Sequence, residues 1–104
     1  MYRATTPTHT FTLPIETSSC DVILVTYNQD KTKLVKRYQD GTASSGMHLD
    51  GKKIVIVLTQ EETLKFLEGF AGVQVRLLLN DGTVRASKKF SIRVEEVNNE
   101  EVLQ

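Results

Sequence analysis

A single cysteine, Cys20, stands among 104 residues, so no intrachain disulfide braces this chain. That removes the staple on which many small secreted domains depend and fits folding in a reducing compartment. Tryptophan is absent, and the aromatics are four Phe and three Tyr. The two histidines, His9 and His48, stand in neither an i, i+4 nor a His-x-Glu context, which leaves a zinc site without ligands. Gly69 and Gly72 flank Phe70-Ala71, but no Lys-Ser/Thr follows, so a phosphate loop is lacking. Thirteen basic and thirteen acidic residues cancel, leaving no global field to attract nucleic acid or anionic lipid. No apolar run approaches the roughly 20 residues of a membrane span. Met1 to Thr6 has no apolar segment, so no signal peptide is expected.

What is present is period-two patterning. The stretch from Ile54 to Leu79 organises the rest. Ile54, Ile56 and Leu58 alternate as a half-buried strand does, and Val73, Val75, Leu77 and Leu79 resume the pattern. Between them Thr59 to Phe66 reads as one or two helical turns. The Thr59 hydroxyl can accept from the Glu62 N–H while the Glu62 carboxylate accepts from the Thr59 N–H, a reciprocal cap. Strand, capped turn and strand make a stiff corner between two sheets.

Further strands are expected at Thr8–Leu13, Asp21–Asn28, Lys33–Gln39, Met47–Leu49, Lys53–Leu58, Gly72–Leu79 and Thr83–Val94. Ile23, Val25 and Tyr27 are the inward set of the second. The third is polar enough to sit near an edge. Asn28 to Lys31, Asp50-Gly51 and Asn80-Asp81-Gly82 supply turn chemistry. Lys88 falls on the apolar parity of the last strand, which predicts a bend or bulge near Ser87-Lys88. Asp40 to Gly46 reads as a mobile loop.

These elements predict an all-β fold: an antiparallel, seven-stranded, immunoglobulin-like β-sandwich with one short helical turn between the fifth and sixth strands. A small closed barrel is the alternative. Residues 1–97 form the single sandwich domain, and residues 98–104 an acidic flexible tail. One domain of this length can bury a core without staples.

No constellation of residues points to catalysis, so a non-enzyme without metal or cofactor is expected. The cations Lys31, Lys33, Lys36 and Arg37 and the carboxylates Glu95, Glu96, Glu100 and Glu101 read as solvated surface. Arg76, Arg85, Lys88, Lys89 and Arg93 cluster late in the chain, but no aromatic partner for base stacking stands beside them, so nucleic acid is not an expected ligand. If the second and fifth strands are neighbours, Val22, Leu24, Val55 and Val57 fall together on an outer face. Four aliphatics in one place mark a candidate partner or oligomer surface. Valine's preference for pleated surfaces accounts for them equally well.

Thr6-Pro7-Thr8-His9-Thr10-Phe11-Thr12-Leu13-Pro14, with Leu58 to Phe66 and Val73-Gln74-Val75-Arg76-Leu77, resembles small proteins encoded among the virion structural genes of tailed phages and prophages of gut Firmicutes. The second half, with its strand, Leu-Thr-x-Glu-type corner, strand and Asp81-Gly82 hairpin, is similar in pattern to the immunoglobulin-like N-terminal domain of phage baseplate upper proteins. The resemblance implies a virion structural or assembly protein of the tail, baseplate or connector. It would be assembled in the bacterial cytoplasm and would contact other phage proteins or itself, with neither membrane nor nucleic acid as partner. The long extension those baseplate proteins carry has no counterpart here. The alternative is a module binding host carbohydrate or surface protein, for which Tyr2 and Tyr38 are the available aromatics.

Overall fold

The computed structural model describes residues 1–104. Nine strands form: β1 (Thr8–Thr12), β2 (Cys20–Gln29), β3 (Thr32–Gln39), β4 (Thr42–Ala43), β5 (Met47–Asp50), β6 (Lys53–Val57), β7 (Gly69–Leu79), β8 (Val84–Ala86) and β9 (Phe90–Val94). One helical turn, α1 (Gln60–Thr63), lies between β6 and β7. A smaller sheet runs β1-β6-β5. A larger one runs β4-β3-β2-β7-β8, with β9 also on β7. Every named strand pair is antiparallel. The fold is all-β and sandwich-like. Both sheets are open, so no barrel closes.

Period two places the core. Ile54, Ile56 and Met47 on the smaller sheet, with Leu58 just beyond it, face Ile23, Val25, Tyr27, Val73 and Val75 on the larger, and all are buried. Phe66 plugs the corner end, its ring centroid 6.3 Å from that of Tyr27. Large, fully dry side chains thus span both layers, and their burial is the main favourable term in folding.

Nine strands replace the expected seven for two local reasons. The expected mobile loop is in fact a hairpin. Asp40 (φ 53°) and Gly41 (φ 77°) form a two-residue turn with both φ positive, and β4 returns along β3. The last expected strand is interrupted. From Arg76 to Val73 is three residues, but their partners Ala86 and Phe90 are four apart, so one residue bulges out. Ser87 holds the bulge, its N–H donating to Val75 O (2.8 Å) and its hydroxyl accepting from Val75 N (2.9 Å). The interruption falls where Lys88 argues for it. It also breaks the expected parity: Val84, Ala86 and Phe90 are exposed, whereas Val94 is buried.

The Asp50-Gly51 turn lies one residue later than expected, with Asp50 paired to Lys53 across Gly51-Lys52. The first hairpin likewise turns at Asp30-Lys31, where Asp30 takes φ 50°. Gly46 cannot be replaced, because a Cβ there would sit 2.2 Å from Val57 O.

The C-terminal segment, expected as a flexible tail, makes contacts with the sandwich. The Leu103 backbone exchanges two 2.8 Å hydrogen bonds with the Gln60 side chain. Glu100 forms an ion pair with Arg3. An acidic segment finds cations and amide donors near the corner, which sequence proximity alone does not disclose.

Candidate functional site

The corner is built first from local chemistry. Thr59 caps α1: its Oγ1 accepts from Glu62 N at 3.1 Å, and Thr59 N donates to Glu62 Oε1 at 2.9 Å. The other carboxylate oxygen, Oε2, accepts from Lys36 Nζ at 2.6 Å, and that ammonium also donates to Ser45 O at 2.8 Å. Lys36 is therefore buried, at 5% exposure, and not part of a solvated basic surface. It occupies the inward parity with Leu34, so its stem packs in the core while its head meets the cap. Burial alone would raise the Glu62 pKa. The hydrogen bond from Lys36, those from Thr59 and the Lys36 charge outweigh it, so the carboxyl titrates below its ordinary range.

Beside this pair, a neutral His9 accepts at Nδ1 from the Tyr27 hydroxyl across 2.7 Å. Tyr27 has no other acceptor, so this orientation uses its one proton. Burial, and then the Glu62 charge, push the phenol far above its usual value. Burial, and then the charge of the chain's first amino group, lower the His9 pKa. The arrangement is a set of satisfied buried polar groups, and no buried side-chain nitrogen or oxygen lacks a partner. His9 and His48 do not converge. His9 lies opposite Ile56 and His48 opposite Val55, so they occupy opposite faces of the smaller sheet. No group of three or more His, Cys, Asp or Glu is placed to hold a metal.

The proposed aliphatic foursome is divided by the topology. β6 pairs with β1 and β5, whereas β2 pairs with β3 and β7. Val55 and Val57 therefore lie on the smaller sheet, opposite Thr10 and Thr8, and Val22 and Leu24 on the larger. The cause is the segment Pro14 to Ser19, which carries the chain from one sheet to the other between β1 and β2. Val22 and Leu24 acquire different neighbours. Val22 is opposite Leu78, and Leu78 opposite Val84, which is 56% exposed. Leu24 lies between Arg37 and Arg76. A shallow depression of about 150 Å³ is lined by Val22, Leu24, Arg76, Leu77, Leu78 and Val84. Sequence reasoning missed Leu78 and Val84. Their signal was the outward parity of Leu78 against Leu77 in β7.

The late basic cluster does have an aromatic neighbour. Phe70 is the cross-strand partner of Arg93, whose guanidinium lies 5.5 Å from the ring centroid. Pairing across β7 and β9 brings together residues that are far apart in sequence.

Fold and site together define an all-β, two-sheet domain whose buried polar cluster is fully hydrogen-bonded and whose larger sheet carries Val22, Leu24, Leu78 and Val84 beside Arg37 and Arg76 on its outer face. The chain matches no family model, no curated protein and no solved structure.

Proposed function

We propose that the chain is a non-enzymatic virion structural or assembly protein of a tailed phage or prophage, acting through protein–protein contacts in the tail, baseplate or connector. The observation that carries it is the outer face of the larger sheet, where Val22, Leu24, Leu78 and Val84 sit together, with Arg37 and Arg76 flanking Leu24. Apolar surface rimmed by polar groups is what a docking partner covers. The phage origin comes from the motifs at Thr6–Pro14 and Leu58–Phe66. An immunoglobulin-like topology is supported by strand order: β1-β6-β5 faces β4-β3-β2-β7-β8/β9, as the B-E-D and C″-C′-C-F-G sheets face each other in that fold. On a symmetric particle, repeated copies turn weak single contacts into lasting attachment.

Leu24→Glu with Leu78→Lys is expected to leave the fold intact and to abolish association in sedimentation, with itself or with virion proteins. Mass spectrometry of purified particles, giving copies per virion, tests incorporation. Absence from particles, with no assembly defect on deletion, overturns the proposal.

A second reading, a host-carbohydrate module, is favoured by one feature. Tyr38, Asp21, Gln39, Asp40 and Asn80 line an open concavity of about 540 Å³, an aromatic among hydrogen-bonding side chains. Glycan-array binding that is lost on Tyr38→Ala would support it.

A further inference from the structure

The two sheets part company along one side. β1 is the last strand of the smaller sheet and pairs with β6 alone. Leu58 N donates to Pro7 O and Leu13 N to Lys52 O, which fixes the alternation of the ladder: odd residues bond to β6 and even ones point away. The N–H and C=O groups of Thr8, Thr10 and Thr12 are thus directed out of the sheet edge, and none has a partner in the chain.

Natural sheets guard such edges with charge, proline, bulges or covering segments. The other edges here are guarded. β4 has two residues. β5 is short and ends on Asp50. The β8–β9 edge is bulged between Ala86 and Phe90, and the segment from Met1 to Arg3 covers its far end, with Arg3 N on Glu95 O. β1, Thr-His-Thr-Phe-Thr, carries none of these devices within its five residues; Pro7 and Pro14 bracket it, so the open stretch is Thr8 to Thr12.

A groove opens directly beside it. One part, about 400 Å³, is lined by Thr10, Phe11, Thr12, Leu13, Val75, Ser87 and Phe90. The next, about 260 Å³, shares Leu13, Val75 and Ser87 and adds Ile15, Leu77 and Arg85. Its floor is apolar, Arg85 is the one charged residue that lines it, and no carboxylate lines either part. Lys53, the exposed cross-strand partner of Thr12, adds a second cation on the outer face of the smaller sheet.

We infer that this edge and groove receive an extended segment of a partner protein, apolar at alternate positions and acidic between them, which adds as a fourth strand beside β1. Its backbone takes up the Thr8, Thr10 and Thr12 groups. Its apolar side chains drop against Phe11, Leu13, Val75 and Phe90, its carboxylates project on the outer face that carries Lys53, and the positive charge of Arg85 at the mouth favours the same acidic segment. Main-chain bonding supplies the attachment and the alternate side chains the selectivity. A second copy fits less well. Two β1 strands paired about a two-fold at Thr10 would leave both grooves empty, since His9, Phe11 and Leu13 already face their own sandwich. The chain's own acidic tail is engaged elsewhere, by Arg3 and Gln60.

The site lies away from Val22 and Leu24 and stands whether or not the outer face is a contact. The test uses the intact protein and a fluorescein-labelled heptapeptide of alternating glutamate and valine. Saturable binding is expected, with slowed amide exchange at Thr8, Thr10 and Thr12. The lysine–valine peptide should bind about ten-fold more weakly or worse. Thr10→Pro removes an N–H that no internal bond uses and should weaken binding by about ten-fold or more, as should Arg85→Glu. Leu24→Glu should change nothing. If circular dichroism shows Thr10→Pro unfolded, Arg85→Glu and the amide exchange decide. No saturable binding at millimolar peptide, binding indifferent to Arg85→Glu, or a concentration-dependent dimer that protects Thr8–Thr12 without peptide would each overturn the inference.

Discussion

The corner around α1 and the side between β1 and β8 are built from the same sheets yet end differently. At the corner every loose end is tied. Arg3 Nε donates to Phe66 O (2.6 Å) and a terminal Arg3 nitrogen to Leu64 O (3.1 Å). Lys36 reaches the cap, and Gln29 holds the Leu67 backbone at both its N–H and its C=O. On the β1 side, by contrast, no hydrogen bond crosses from β1 to β8, the Ser87 bonds stay within the larger sheet, and Phe90 is 48% exposed against 0% for Phe66. The lesson is that this sandwich is shut by buried polar pairs with complete partners. Where those are missing, apolar side chains alone leave it ajar.

The two ends should respond to substitution very unequally. Phe66→Ala should cost the most, about 4 kcal/mol in urea unfolding, because a fully dry ring leaves a cavity between rigid layers. Glu62→Gln keeps an acceptor for the Thr59 N–H but strands the Lys36 ammonium, and should cost about 3 kcal/mol. Adding Lys36→Met should restore most of that loss, since the uncompensated charge goes with it. Tyr27→Phe removes the donor to His9 and should cost about 1 kcal/mol.

Acid should loosen the same end in two steps. His9 holds its proton less tightly folded than unfolded, so the unfolded chain binds more protons below the ordinary value of 6.5, and stability falls as pH drops through that region. Glu62 is likewise depressed, and its contribution is present above its ordinary value of 4.5 and lost as pH falls below it. Urea midpoints followed from neutrality downward should show both losses, and His9→Asn should erase the first alone. Phe90→Ala, on the open side, should change stability by only about 0.5 kcal/mol. A cost matching that of Phe66→Ala would mean the two regions do not differ.

Much of the fold was legible because it is local. Alternation set Ile23, Val25 and Tyr27 inward, and the reciprocal cap at Thr59 and Glu62 needs only four consecutive residues. What failed was non-local. Which strand lies beside β2 depends on whether the chain changes sheets at Pro14–Ser19, and no pattern within β2 encodes that. Hence Val22 and Leu24 were grouped with the wrong valines. Lys36 announced its inward parity, but accepting a buried lysine requires knowing that Glu62 waits across the sandwich. The tail's bonds to Arg3 and Gln60 span 97 and 43 positions and leave no trace in local composition. The Asp40-Gly41 turn was readable, being the same two-residue chemistry as elsewhere, and was obscured by the small residues after it.

Cys20 gives the protein a built-in gauge. Its side chain is buried at the start of β2, and burial, with the Asp21 charge next, pushes the thiol above its usual range, so the reactive thiolate is scarce in the folded state. Because the chain has no other sulfhydryl, each molecule captured by an alkylating reagent records one exposure of this thiol, which lies at the floor of the concavity beside Tyr38. The pace of that capture clocks how often that floor opens, with no label introduced.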